Sequence, residues 1–179
     1  NVIILLLSKD YEGLIETIVS RCQLLRLRPV GNGIIREYVE NFVKLSDIDR
    51  EEITRLSRGR IGWANRAATD ADFLANARDS IDSIETAVTG TLEDKFKYSR
   101  NLTSRFRRDR RVGHSDIDYM LTWWRDVLLV SSGSEEEIIN ISRLNTLRSV
   151  AARLDSNEVA ATINYIRLAL RNLEKNVSP

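Results

Sequence analysis

The 179-residue sequence contains one cysteine, Cys22, and one histidine, His114. A lone cysteine cannot close an internal disulfide, which argues against a secreted disulfide scaffold and suits a reducing, cytoplasmic setting. The same scarcity excludes a zinc site built from Cys and His, and a Ser-His-Asp triad would have to rest on His114 alone. Only two prolines and eight glycines interrupt the chain, and it has no internal repeat or low-complexity linker. Neither Gly-x-x-x-x-Gly-Lys-Ser/Thr nor Gly-x-Gly-x-x-Gly occurs, so these residues encode no phosphate-cradling loop. An excess charge of one sign is missing too, because 27 Lys and Arg face 26 Asp and Glu, leaving +1. Binding to nucleic acid or acidic lipid must then be local rather than driven by an overall field. The longest apolar run, residues 2–7, is far too short to span a bilayer, and its flanks are not those of a signal peptide. The carboxylates scatter over predicted helix surfaces with no pair isolated in an apolar setting, so the chain reads as catalytically silent by itself.

What is present is a core's worth of apolar residues, 42% of the chain, in two kinds of pattern. Near the start, "VIILLL" reads as a strand buried on both faces, as in a parallel sheet. "CQLLRLRP" alternates Leu25 and Leu27 with Arg26 and Arg28 until Pro29 stops it, and reads as a second strand. Two strands do not make such a sheet, so further partners are expected upstream of Asn1 and the chain reads as a fragment. Between them, Leu14, Ile15, Ile18 and Val19 predict one or two short helical turns.

From Gly31 onward the period is helical. Ile34, Ile35, Tyr38, Val39, Phe42 and Val43 predict a helix ending near Ser46. Asp49 with Glu52 predicts the capped start of a second, closed by Gly59, and "IGWANRAATDADFLANA" begins a third. Beyond about Ala75, long segments broken at Gly90, Gly113, Gly133 and "DSNE" predict an antiparallel bundle of about five helices. Its apolar stripes run through Leu92, Phe96, Leu102 and Phe106, then Ile117, Leu121, Trp124 and Leu128, and on through Leu144 to Leu173. The expected architecture is mainly α, divided into residues 1–29, 30–74 and 75–179.

Four features stand out chemically. Arg21 reads either as a surface arginine near a helix end or as a group with a job. "RFRRDRR" is the one dense basic run; Arg105, Arg107, Arg108, Arg110 and Arg111 read as the solvated face of a helix whose Phe106 points inward. The competing reading is a phosphate-contacting DNA patch. Trp123 and Trp124, within an apolar stripe, read as core or subunit-interface packing rather than base stacking. His114 reads as a loop residue before a helix capped by Ser115, and Cys22 as a small buried hydrophobe.

"TIVSRCQLLRLRPV", preceded by a strand ending in Ser8, resembles the Ser-Arg-Cys segment of the clamp-loader AAA+ family. "IIREYV" and "LSRGRIGWANRAA" resemble that family's lid, and "LTWWRDVLLV" its bacterial collar. The resemblance covers nearly the whole chain, with Ser20-Arg21-Cys22 and Trp123-Trp124-Arg125-Asp126 as its strongest motifs. It implies residues 1–29 as the tail of an AAA+ α/β sheet domain, 30–74 as a three-helix lid, and 75–179 as a collar. The terminal "NVSP" resembles the start of the family's last helix and implies that more chain follows.

By the same resemblance Arg21 is an arginine finger directed at ATP-Mg held by a neighbouring subunit, with no cofactor of this chain's own. Ser8 falls at the sensor 1 position, although Ser8 and Lys9 replace the commoner Thr or Asn pattern. "GRIGWA" places Gly62 where ATP-binding members carry a sensor 2 arginine; Arg60 or Arg66 would substitute only after a shift in alignment. The implied protein is a non-hydrolysing loader subunit. Its implied partners are gamma/tau-type and delta-type subunits, the sliding clamp indirectly, and primer-template DNA in the full complex, with no membrane. The alternatives are a gamma/tau-type ATPase, which requires a phosphate loop upstream, and a stand-alone helical nucleic-acid-binding module. The resemblance leaves the isolated chain binding DNA weakly at best.

Overall fold

A computed structural model of the chain describes residues 2–8, 13–42 and 44–174. Val43, Lys9 and the terminal "NVSP", each used above, lie outside the described residues. Nine α-helices are found among the described residues: α1 Glu16–Val19, α2 Asn32–Glu40, α3 Asp47–Ser57, α4 Ile61–Thr69, α5 Ala71–Thr89, α6 Leu92–Arg108, α7 Arg110–Ser131, α8 Leu144–Ala151 and α9 Ser156–Glu174. Two 3₁₀ turns, Glu135–Glu137 and Ile141–Arg143, connect α7 to α8.

No strand forms among the described residues, contrary to the reading of residues 2–7 and of the Leu25–Leu27 alternation. Residues 2–7 run without regular structure, and Val2, Ile3 and Leu7 are among their exposed side chains. The physical reason is that a strand's backbone donors and acceptors need adjacent strands, which the described residues do not supply. Cys22 is likewise exposed rather than buried.

The helix ends follow local chemistry. Ser46 caps α3: its Oγ accepts from the Asp49 N–H at 3.1 Å while donating to Asp49 Oδ2 at 2.7 Å. The start therefore lies three residues earlier than the Asp49–Glu52 pair indicated. Arg58, at φ 51°, ends α3 in the left-handed region, and Gly59 follows at φ 75°. A Cβ on Gly59 would lie 2.3 Å from the Val30 carbonyl oxygen, so both backbone angle and space require glycine. The expected single helix over residues 61–77 is two helices, because Asp70 leaves helical geometry and its carboxylate accepts from Phe73 N–H at 3.0 Å. Thr91 and Asp94 form a reciprocal capping box for α6, and Asp155 with Glu158 does the same for α9.

Gly113 does not break a helix. It lies inside α7, which starts at Arg110 behind an Asp109 cap, so His114 and Ser115 are helical rather than loop and cap. His114 packs on Phe106 with ring centroids 5.3 Å apart and planes tilted by 55°, and Ser115 Oγ donates to the Arg111 carbonyl. Glycine is needed here for close approach: a Cβ would meet Phe106 Cδ2 at 2.4 Å.

Helices α2, α3 and α4 pack on one another around Ile35, Val39, Ile53, Ala64 and Ala67, joined by Leu74 from α5. A larger core gathers Leu56, Ile81, Ile84, Trp123, Val127, Ile138, Leu147, Val150 and Val159. Trp63 packs against both cores, and α5 runs unbroken from one to the other. Helix α7 is the hub of the larger core, contacted by α5, α6, α8 and α9. On it the buried line runs through Ile117, Trp123 and Val127, rotated from the Leu121–Trp124–Leu128 stripe. On α6 only Phe106 of the expected stripe is buried; Leu92 and Phe96 are exposed.

Replacing Gly113 by Ala should cost about 1–3 kcal/mol through overpacking against Phe106, even though alanine is the better helix former by about 1 kcal/mol. Urea unfolding of the two proteins checks it; a stabilised variant would contradict the close approach.

Candidate functional site

The sequence-nominated residues divide by how each side chain is engaged. Arg21 follows the four-residue helix α1, and its guanidinium turns back to donate to the Thr17 carbonyl at 2.8 Å. The side chain is exposed, as are its neighbours Ser20 and Cys22 and the apolar Ile15 and Ile18. One N–H is thus spent on the carbonyl end of its own helix. Ser8 is exposed as well, in the segment without regular structure.

Around Gly62, in the first turn of α4, a Cβ would meet nothing within 4 Å, so the space there would admit a larger side chain. The two arginines able to replace it are committed elsewhere. Arg60 Nε donates to the Ser57 carbonyl at 2.9 Å, and its Nη1 lies 3.3 Å from Asp118. Arg66 lies 4.4 Å over the Phe73 ring and 3.7 Å from Asp70.

The basic run is not one patch. Arg105 points inward, with Nε 3.1 Å from Asp116 Oδ2 and Nη2 3.3 Å from Ser80 Oγ. Arg111 pairs with Asp109, whose carboxyl is held below its ordinary range by the Arg111 N–H groups, backbone first. Arg110 reaches over the Phe106 ring at 5.9 Å. Arg107 and Arg108 are exposed.

The structure also contains buried carboxylates that periodicity assigned to surfaces. Asp116 is buried between α5, α6 and α7 at the wall of a cleft of about 550 Å³, lined also by Tyr98, Asn101, Arg105 and Arg108. Ser80 Oγ donates to Asp116 Oδ1 at 2.9 Å. Oδ2 faces Arg105 as a charge pair without hydrogen-bond alignment. Burial pushes the Asp116 carboxyl above its ordinary value, against the opposing Ser80 hydrogen bond and Arg105 charge. The Tyr98 hydroxyl in the same cleft is buried with no hydrogen-bond partner among the described residues, and burial, then the Asp116 charge, raises its pKa far above the usual phenol value.

Asp126 is the second buried carboxylate, fully enclosed beside Trp123 in the core. Its Oδ2 accepts from Ile139 N–H at 3.0 Å, Asn140 N–H at 2.8 Å and Asn140 Nδ2 at 2.8 Å. Burial raises its pKa, and these donors oppose the rise. Trp123 has no exposed surface, whereas Trp124 is half-buried against the same core. Among the described residues, no group of three or more His, Cys, Asp and Glu is placed to hold a metal ion. No described helix is long and apolar enough to cross a membrane.

Sequence reasoning missed Asp116 and Asp126 as buried groups. Each sits next to a residue of the buried line of α7, Ile117 and Val127, a line that the sequence stripe through Leu121, Trp124 and Leu128 did not follow.

Among the described residues the regular structure is all helical, with two packed cores and an exposed arginine just beyond the short helix α1. No family model and no solved structure matches the chain. The chain is similar to DNA polymerase III subunit delta' of Bacillus subtilis (strain 168), at 20% identity over 178 residues. The match takes in 97% of this chain and 52% of that protein, so the chain spans about half the length of its curated relative. It agrees with the clamp-loader resemblance drawn from the sequence motifs.

The raised pKa of Asp116 has a defined sign in stability. Because the folded value lies above the unfolded one, near 3.9, the native state holds the proton more tightly. Stability is therefore lost as pH rises from that value through the raised one. Asp116→Asn, which cannot ionise, should gain melting temperature relative to the parent as pH rises across that window and then level off. Scanning fluorimetry over a pH series reads this, and a pH-independent difference would contradict it.

Proposed function

We propose that this chain is the C-terminal part of a delta'-like clamp-loader subunit: a ring component that does not hydrolyse ATP and acts on a neighbour's nucleotide. The similarity along 97% of the chain is the observation that carries the reading. In it, residues 1–29 complete an AAA+ sheet whose other strands come from outside these residues, α2 to α4 serve as the lid, and the helices from α5 onward join the collar of the ring. The exposure of residues 2–7 supports the first part, since apolar side chains in water at 60–94% exposure are in want of a covering partner.

Arg21 is the functional residue. A guanidinium held near the gamma-phosphoryl group of an adjacent subunit's ATP-Mg neutralises charge as the bond to the leaving group breaks. Such a finger contributes roughly a thousandfold or more to the rate. Among the described residues its guanidinium makes one hydrogen bond, to the Thr17 carbonyl, and the side chain stays exposed. Lysine would not replace it, because the bidentate geometry belongs to the guanidinium.

The absence of a sensor 2 arginine at Gly62, with Arg60 and Arg66 both engaged, favours this reading over a gamma/tau-type ATPase. The protein would then work in the cytoplasm with gamma/tau-type and delta-type partners, helping to place the sliding clamp on primed DNA. The enzymatic steps belong to those partners.

In a reconstituted loader, Arg21→Ala in the full-length protein should leave assembly by gel filtration intact while ATP turnover at the adjoining site falls by roughly a thousandfold, and Arg21→Lys should not restore it. Unchanged turnover in an assembled ring would eliminate the finger.

A further inference from the structure

We propose that the outer face of α6 binds a single strand of nucleic acid, using Arg100 and Arg107 on its phosphates and Phe96 beneath a base. This site is separate from the proposed finger and uses none of its residues.

The contiguous run "RFRRDRR" concealed the pattern, because three of its five arginines are engaged within the chain. What remains outward is a helical stripe. Phe96, Arg100, Thr103 and Arg107 stand at i, i+4, i+7 and i+11, the spacing of one helix face. Ser99, Arg100, Thr103, Ser104 and Arg107 line a shallow depression of about 350 Å³ with no carboxylate in its wall. The neighbouring cleft between α5 and α6 differs in this respect, being lined by Asp79, Asp82, Asp94 and Asp116.

None of the five side chains in the depression makes a hydrogen bond or ion pair with another described residue. For the hydroxyls this is notable within the fold, since Ser83, Thr86 and Ser115 each donate to the carbonyl four residues earlier. Ser99, Thr103 and Ser104 thus remain as unspent donors beside two guanidiniums without a partner among the described residues. Arg100 and Arg107 are two turns apart, about 10 Å along the axis. A flexible single strand can set two of its phosphates against two guanidiniums at that separation, with the hydroxyls facing the backbone that runs past them. Phe96, 59% exposed one turn before Arg100, offers a ring face to an unpaired base. A positively charged track with an aromatic platform is the physical recipe for single-strand binding without sequence readout.

Two phosphate contacts give modest affinity, about micromolar or weaker at physiological salt. The test is fluorescence anisotropy of the whole chain with a labelled oligothymidylate and with a duplex of equal length, across a salt series. For the parent, the single strand should bind more tightly than the duplex, with affinity falling as salt rises. Arg100→Ala with Arg107→Ala should weaken binding about tenfold and flatten the salt slope by about 1.4, two contacts at 0.7 each. Phe96→Ala should weaken the single strand about threefold or more while leaving the duplex unchanged. Arg171→Ala, an exposed arginine on α9, should have no effect. All four positions are exposed, and matched melting temperatures confirm folding. Equal affinity and slope in the double variant, equal losses in the Arg171 control, tighter binding to duplex, or competition by polyglutamate as effective as by oligonucleotide would each overturn the proposal.

Discussion

A carboxylate with no solvent exposure sits at the centre of the larger core, and the arrangement around it depends on that carboxylate being satisfied. Asp126 lies between Trp123 and Val127 in sequence, where an apolar side chain would be the simpler choice. Taking the charge out of water is expensive, and one Asp126 oxygen recovers part of that cost by accepting three N–H groups from Ile139 and Asn140. The consequence is geometric. The connection after α7 is drawn down onto the core, Ile138 is buried at its turn, and α8 starts where Leu147 and Val150 can close over Trp123. Arg125 adds a second tie, reaching both Asp126 and the Glu137 carbonyl.

The same connection is gripped from the other side. Arg55 donates to the Ile138 carbonyl at 2.6 Å and to the Glu136 carbonyl at 3.2 Å, while Arg58 pairs with Asp118 at 2.8 Å. Arg78 on α5 in turn holds Asp49 and Glu52 of α3, and Asp49 is kept below the ordinary aspartate range mainly by that contact. Partly exposed pairs of this kind add little stability one by one, yet here they bridge different helices and fix orientation. Near α4, Arg60 reaches Asp118 of α7, and Arg66 lies over Phe73 of α5.

Much of the fold was legible where local chemistry and period agree. The helices after Gly31, the stops at Gly90 and Gly133, and the Asp155 start all follow from spacing and caps. Gly113 was misread because glycine signals both a break and a close approach, and only Phe106 lying across the helix pair decides between them. The strands were misread for the opposite reason: residues 2–7 carry the right side chains, but a ladder is a property of neighbours. Periodicity also sends every carboxylate to the surface, so Asp116 and Asp126 were invisible as buried groups. On α6, adjacency in sequence drew attention to Arg105 through Arg111, while the outward stripe through Arg100 and Arg107 follows the helical repeat instead.

Helix α5 contributes Leu74 to one core and Ile81 and Ile84 to the other without a break in its backbone. A swivel between the two cores would need a joint, and none is built into those nineteen residues. A displacement of the α2–α4 group would therefore travel to the core around α7 along one continuous helix, with no break in α5 to absorb it.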